Sequence, residues 1–317
     1  MKPRPAPRGD RRPSLSHWFE YSLVRCVSLA AALVPECAHA PIARLFSLFW
    51  YYVLPIRRRV ALANLARAFP ERSMAWRRKV AQSSAAHFLS MMLFEFFALG
   101  RKNPAALREM LAGIDDFENY EKGGGDARAL ICVTGHLGNW ELAATYFSRI
   151  RGRKIAALAK PMHNPLVERL VSRVRRACGW EVIYTRKDPL RPILRAAREG
   201  RLIVFLADQD ARRDGIFVPF FSHPASTARG PAFLACRLGL PIVVGIACRS
   251  PEDGRYRLRF HPPIVPDRSA EREAEIQRLT RAHVAILEEA IRENPEQYFW
   301  FHRRWKTRPK GIERTAE

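Results

Sequence analysis

The sequence predicts an α/β protein in which a mostly parallel central sheet is flanked by helices and preceded by an N-terminal membrane-associated helical segment. Three observations carry that expectation. From Leu130 onward, short apolar and β-branched runs alternate with amphipathic stretches of helical period, the pattern of a parallel sheet covered on both faces. Between Trp18 and Leu54 lies a largely apolar region that charged residues and two prolines interrupt. The chain has 317 residues, 48% of them hydrophobic, enough to bury a substantial core.

The chain begins with a basic, proline-rich arm, MKPRPAPRGDRRP, and passes into that apolar region. Arg25, Glu36, His39 and Arg44 break it up, and Pro35 and Pro41 split it, so no run reaches the roughly 18 to 20 residues a bilayer span requires. An interfacial or re-entrant helix is expected instead. It lacks the small-residue cleavage site of a secretory signal, and Arg57, Arg58 and Arg59 follow it, as basic residues do beside anionic headgroups. Residues 1–56 are therefore expected to form a basic arm and membrane-anchoring segment. Residues 57–317 divide into a helical lead-in (57–120), an α/β core (121–265), and a C-terminal helix with an aromatic, basic tail (266–317).

In the lead-in, WRRKVAQSSAAHFLSMMLFEFFALG is apolar over more than one stripe, which suits a helix buried against the rest of the protein or one facing lipid. Glu95 is a lone acid in that run and either pairs with an arginine or points outward. After the breaker KGGGD, strands are expected near Leu130 to Thr134, Ile155 to Ala159, Val182 to Thr185, Leu202 to Ala207 and Ile242 to Ala247, with an edge strand at Tyr256 to Phe260. Helices are expected near Asn139 to Arg149, Pro165 to Cys178, Pro189 to Glu199, Gly230 to Leu238 and Ala270 to Arg292.

The formal charge of +23, from 54 Lys and Arg against 31 Asp and Glu, points to an anionic partner such as phospholipid, phosphorylated glycolipid, an acidic protein or nucleic acid. Most of the excess is arginine scattered along the chain, and no recognisable nucleic-acid motif is present. Cys26, Cys37, Cys132, Cys178, Cys236 and Cys248 form no C-x-x-C pair and read as reduced thiols of a cytosolic environment.

The stretch LICVTGHLGNWELAATY, Leu130 to Tyr146, reads as strand, turn and helix with His136 in the turn. Such turns sit at the carboxyl ends of strands, where open α/β sheets bind ligands. His136 and Glu141 are five residues apart, about 500° around a continuous helix, so they converge only if His136 stays in the turn and Glu141 in the first helical turn. The spacing H-x4-[DE] is weak alone: chance gives about one match in such a chain. The sequence has three, at His136/Glu141, His163/Glu168 and His283/Glu288. The first alone has the strand and glycine context; His283 reads as a solvated helix face and His163 as a loop residue.

A second informative stretch runs LIVFLADQDARRDGIFVPFFSHPASTARG. Asp208, Gln209 and Asp210 follow a strand end as His136 does, which makes convergence plausible. No second cluster with ligand spacing accompanies them, so no metal is assigned. Phe217, Pro219, Phe220 and Phe221 suit either an apolar wall for a greasy substrate or a buried loop core.

GHLGNWE (135–141), NLARAFPE (64–71), the ADQD loop with its run to the next helix, and the ending YFWFHRRWKTRP together resemble the late acyltransferases of lipid A biosynthesis, from about residue 15 to 310. The resemblance implies an enzyme at the cytoplasmic face of the cell inner membrane, without a cofactor. It would move a fatty acyl chain from acyl carrier protein to a hydroxyl of a Kdo-bearing lipid A precursor, a phosphorylated glycolipid. The wider superfamily leaves open another membrane lipid acceptor, such as an amino-acid lipid or a glycosylated phosphatidylinositol. The family motif makes His136 the base and favours Glu141 as its partner, with Asp208 as a possible supporting acid. Lys160, Asn164 and Arg175 in KPMHNPLVERLVSRVR match a family-like segment and become candidate contacts to the acceptor's phosphates, joined by Gln209 and Arg229 as substrate-binding candidates. Leu137 departs from the Trp of many members and is a candidate for tuning acyl-chain or acceptor choice. No G-x-S-x-G elbow is present, and Cys132 lies within a strand, so direct transfer without an acyl-enzyme is expected.

Overall fold

The computed structural model describes residues 13–54, 56–185 and 189–309; the basic arm over residues 1–12 and the tail from residue 310 lie outside the described residues. Helices α1 (Leu15–Ala31) and α2 (Glu36–Tyr52) open the chain, and α3 (Arg58–Ala68) and α4 (Met74–Ser90) follow. Ser14 and Ser73 cap α1 and α4 with their hydroxyls, each accepting a backbone N–H that the first helical turn leaves unpaired. The α4 helix runs on through six π-helical residues, Met91–Phe96, into the short α5 (Phe97–Leu99). Among the described residues no helix is long and apolar enough to cross a membrane.

Next come α6 (Pro104–Met110), β1 (Leu111–Asp115) and α7 (Phe117–Lys122). The alternating core contains β2 (Leu130–Thr134), α8 (Trp140–Arg149), β3 (Ile155–Ala159), α9 (Pro165–Ala177), β4 (Glu181–Tyr184), α10 (Leu190–Arg198) and β5 (Leu202–Leu206). A separate antiparallel hairpin of β6 (Ile216–Phe220) and β7 (His223–Thr227) interrupts it before α11 (Gly230–Leu238), β8 (Ile242–Arg249), β9 (Tyr256–Phe260) and the long α12 (Arg272–Glu293).

The seven strands of the main sheet lie in the order β1-β9-β8-β2-β5-β3-β4, with every pairing parallel except that of β8 with β9. Tyr256 to Phe260 is thus a strand, as expected, but β1 covers it and takes the edge. That β1 stands inside the segment read as helical, so the helical lead-in ends earlier than the sequence suggested.

The central strands are apolar throughout because both faces are covered. In β2, Ile131 and Val133 face one core with Ile203, Phe205, Ile242, Val244 and the apolar sides of α11 and α12. Leu130 and Cys132 face the other with Leu142 and Phe147 of α8, Tyr120 and Phe260. His283 belongs to the buried side of α12, with no exposure, and not to a solvated face. Leu279, Val284 and Leu287 share that side, and Arg281 and Glu289 lie on the open one. Phe220 and Phe221 are also buried, edge-on to each other, with Phe221 edge-on to Trp300 and Phe220 tilted against Trp305, so the loop-core alternative describes them.

Candidate active site

The parallel register of β2 with β5 builds the site. Thr134 pairs with Leu206 at the carboxyl ends of these neighbouring strands, and the Ala207 N–H donates to the Thr134 carbonyl to extend the ladder. His136 lies two residues beyond Thr134 and Asp208 two beyond Leu206, so equal offsets from a paired register bring them side by side. The His136 ring donates through Nδ1 to Asp208 Oδ1 at 2.8 Å, and its backbone N–H donates to Oδ2 at 3.0 Å. With Nδ1 holding the proton, the neutral imidazole keeps its lone pair on Nε2. The ring is 20% exposed, and Trp140 packs edge-on to it at 4.9 Å.

Burial alone would raise the Asp208 carboxyl, but the charge that His136 carries once protonated and the two hydrogen bonds from His136 outweigh it and pull it down to about 2. Asp208 is therefore an anion across the physiological range. Tyr298, fully buried, turns its hydroxyl toward the same carboxylate, and burial with that negative charge raises the phenol well above its usual value. The Gln209 amide nitrogen lies 3.4 Å from Nδ1 and 3.3 Å from Nε2 of His136. Near-equal distances place it over the ring instead of on either in-plane nitrogen orbital.

Glycine makes the turn. Gly138 adopts φ +62°, and a Cβ there would stand 1.8 Å from the Ala247 carbonyl oxygen, so neither the backbone angle nor the space admits a side chain. The turn is then clamped on two sides. Asn139 N–H donates to Ala247 O at 2.8 Å on β8, while Gly138 N–H donates to Gln297 O and Phe299 N–H donates to His136 O in the C-terminal segment. Asn64 donates from its side chain to the carbonyls of Trp300 and His302, and the Ser84 hydroxyl donates to that of Tyr298, which fixes the tail against α3 and α4. The tail also holds the Asp loop, since His302 Nε2 accepts from Asp210 N–H and Thr307 donates to the Asp210 carboxylate. The aromatic and basic ending is thus a wall of the site.

The other candidate residues have varied placements. Glu141, only 2% exposed, makes no described hydrogen bond to His136; its carboxylate accepts from Arg175 Nη2 at 2.6 Å and Nε at 3.4 Å. Arg175 in turn lies over the faces of Trp180 and Phe96, a buried pairing that ties α8 to α9. Asn164 caps α9, accepting from Leu166 and Val167 N–H, and donates to the His17 carbonyl and Glu20 carboxylate of α1. Arg229 is held by both oxygens of Glu273. Lys160 is exposed at the end of β3, open to an anionic ligand. The structure therefore brings Asp208 and Gln209 to His136 and commits Glu141, Arg175, Asn164 and Arg229 to intramolecular contacts. Leu137 is buried at 1% exposure and bridges to Tyr298, within the core and not on an open substrate face.

Sequence reasoning left Glu95 open and passed over Asn139 and Tyr298. Glu95 is buried and pairs with Arg249. Asn139 is readable in retrospect as the cap residue ahead of α8.

The family profile described as bacterial lipid A biosynthesis acyltransferase matches residues 9–307. The chain belongs to that family. Among relatives of this lipid A acyltransferase family, a lipid A biosynthesis lauroyltransferase of Escherichia coli (strain K12) is 28% identical over 262 residues, 81% of each chain. A lipid A biosynthesis palmitoleoyltransferase of the same organism is 28% identical over 260 residues, 80% of each. A phosphatidylinositol mannoside acyltransferase of Mycobacterium tuberculosis (strain CDC 1551 / Oshkosh) is 25% identical over 146 residues, 45% of each.

Proposed function

We propose that the protein transfers a fatty acyl chain from acyl carrier protein to a hydroxyl of a Kdo-lipid A precursor at the cytoplasmic face of the inner membrane. The observation that carries this reading is the His136–Asp208 pair at the carboxyl edge of the sheet, in a chain of this family. An aliphatic hydroxyl is a poor nucleophile at neutral pH and imidazole is a fitting base. His136 Nε2 takes the hydroxyl proton as the oxygen attacks the thioester carbonyl carbon; a C–O bond forms. The tetrahedral intermediate collapses with cleavage of the C–S bond, and the imidazolium returns the proton to the departing thiolate. Asp208 fixes the tautomer and stabilises the imidazolium, the work of a triad acid. Glu141 serves by holding Arg175 and the start of α8.

Direct transfer is supported by Cys132, whose thiol burial pushes up to about 12, leaving no thiolate for an acyl-enzyme at neutral pH. Membrane docking is supported by the outer faces of α1 and α2, where Leu15, Trp18, Phe19, Leu45, Phe46 and Phe49 are exposed. Lys160 is the candidate for a phosphate of the acceptor.

The deciding experiment incubates the purified protein with acyl carrier protein carrying chains of different length and with a tetra-acylated, Kdo-bearing precursor, in parallel with phosphatidylinositol mannoside and an amino-acid lipid. Mass spectrometry should find one added acyl chain on the lipid A precursor. Acylation confined to another acceptor, or use of acyl-coenzyme A alone, would replace this reading.

A further inference from the structure

Beside Asp208 and Glu141, a further buried carboxylate reaches the His136 turn, through one residue of that turn, Asn139. Glu95 lies in the π-helical stretch at the end of α4, a local widening of the helix that is often retained at functional sites. Its Oε2 accepts from Asn139 Nδ2 at 2.7 Å and from the Tyr256 hydroxyl at 2.9 Å; its Oε1 accepts from Arg249 Nη2 and, at 3.5 Å, from the Ser90 hydroxyl. A buried carboxylate so surrounded is held in one orientation, since each lost donor would leave charge uncompensated.

Asn139 has no exposure, and both ends of its amide are committed. Oδ1 accepts from Leu142 N–H at 2.8 Å as the cap of α8, and Nδ2 points at Glu95. Aspartate caps a helix about as well as asparagine, but here it would set a second carboxylate against Glu95. Serine would cap without reaching it. The asparagine therefore answers to that carboxylate as well as to the helix. The connections close on themselves: Arg249 N–H donates to Gln297 Oε1, Gln297 Nε2 donates to Arg249 O, and the Gln297 carbonyl accepts from Gly138 N–H. Glu95 thus grips the turn directly through Asn139, and through Arg249 and Gln297 it is linked to Gly138.

We propose that Glu95 is a positioning residue for the reaction, the buried carboxylate that sets the His136 turn and the start of α8 through the Asn139 amide. A displacement of His136 by an ångström is enough to lower a rate about a hundredfold. This inference rests on the reading of the His136 turn as the active site.

The test swaps charge across the pair. Asn139→Asp keeps the cap but opposes two carboxylates, and Glu95→Gln removes the anion. Each should lower kcat about tenfold or more with KM changed less than about threefold. The pair Glu95→Gln/Asn139→Asp restores one donor and one acceptor with their direction reversed, and should return kcat to within about threefold of the parent. Asn139→Ser leaves the Glu95–Arg249 pair intact and removes only the link, so it serves if the carboxylate variant does not fold. Amide hydrogen exchange at Gly138 and Leu142, read without substrate, should rise about tenfold in the single variants and fall back in the pair. Folded single variants with parental kcat, or a pair no better than the worse single, overturn the proposal. So does unchanged exchange in every variant. Parental protein that transfers no acyl chain while exchange follows the expected pattern counts against the activity and not against the bracing.

Discussion

At the scale of single residues, Asp208 and Glu141 are the two carboxylates that the sequence offered as partners for His136, and their contacts divide their work. Asp208 receives the imidazole Nδ1–H and the backbone N–H of the same residue; Glu141 receives Arg175. Asp208→Ala should therefore lower kcat by about 10²-fold or more, comparable to His136→Ala, with the double variant scarcely worse than either, because the two act as a unit. Glu141→Ala should show its first effect elsewhere. Removing one partner of a buried ion pair costs about 3 to 5 kcal/mol, so its unfolding midpoint in urea should drop before kinetics are considered. An Asp208→Ala enzyme of parental turnover, beside a stable but inactive Glu141→Ala, would reverse the two roles. His136 was legible in the sequence because its turn is bracketed by Gly135 and Gly138. Asp208 was placed at the same strand edge as a possible partner, but the choice between it and Glu141 was not legible, because H-x4-E is a statement about one segment, while the His136–Asp208 contact depends on β5 lying next to β2. Chain order would put β3 there; the sheet order inserts β5, and spacing within a motif carries no information about that.

At the scale of elements, the central strands were read nearly to the residue because strands buried on both faces are apolar throughout and bounded by breakers. The β6–β7 hairpin was not. Its register sets Pro219 opposite Pro224, so the pair lacks the N–H donors that mark a ladder, and its turn passes through Phe221 and Ser222 at positive φ without the usual Asn-Gly signal. Phe221 N–H instead donates to Glu288 of α12, a tertiary partner no local rule supplies. The polar residues of α12 likewise hid its buried face. There, among the described residues, His283 has neither ring nitrogen bonded to a protein group, and burial, with the Arg304 charge nearby, depresses it from 6.5 to about 3. The unfolded chain therefore binds a proton below pH 6.5 that the folded one refuses. Stability from this group is full above pH 6.5 and declines by about 1.4 kcal/mol per pH unit from there toward pH 3. Replacing it with an apolar side chain, His283→Leu, should flatten the urea midpoint between pH 6.5 and 4.5 relative to the parent. Parallel curves for the two proteins would show that His283 does not set the acid sensitivity.

At the scale of the whole molecule, the surface carries exposed apolar side chains on α1 and α2 and a strong positive charge, and each would bind a membrane by different physics. The net charge of +23 attracts anionic lipid, an effect worth about 1 kcal/mol per basic residue near the surface and screened as salt shortens its reach. The apolar face of α1 and α2 gains about 1.5 to 3 kcal/mol for each large side chain it buries, nearly independently of salt. Deleting both helices is a poor probe, since α2 carries Tyr51 into the core and α1 is tied to α9 through Asn164. Substituting outward residues of α1 alone, Trp18→Ser, Phe19→Ser and Leu23→Ser together, removes apolar contact while leaving the Asn164 link to the His17 carbonyl and Glu20. In flotation with vesicles of mixed zwitterionic and anionic lipid, the parent should remain bound as salt rises to about 0.5 M, where the screening length is only a few ångströms. The triple variant should float at low salt, held by charge, and be released at high salt. Equal retention of both proteins at high salt would place the apolar contact on α2 or beyond the described residues, and equal release of both would leave charge as the whole of the attraction.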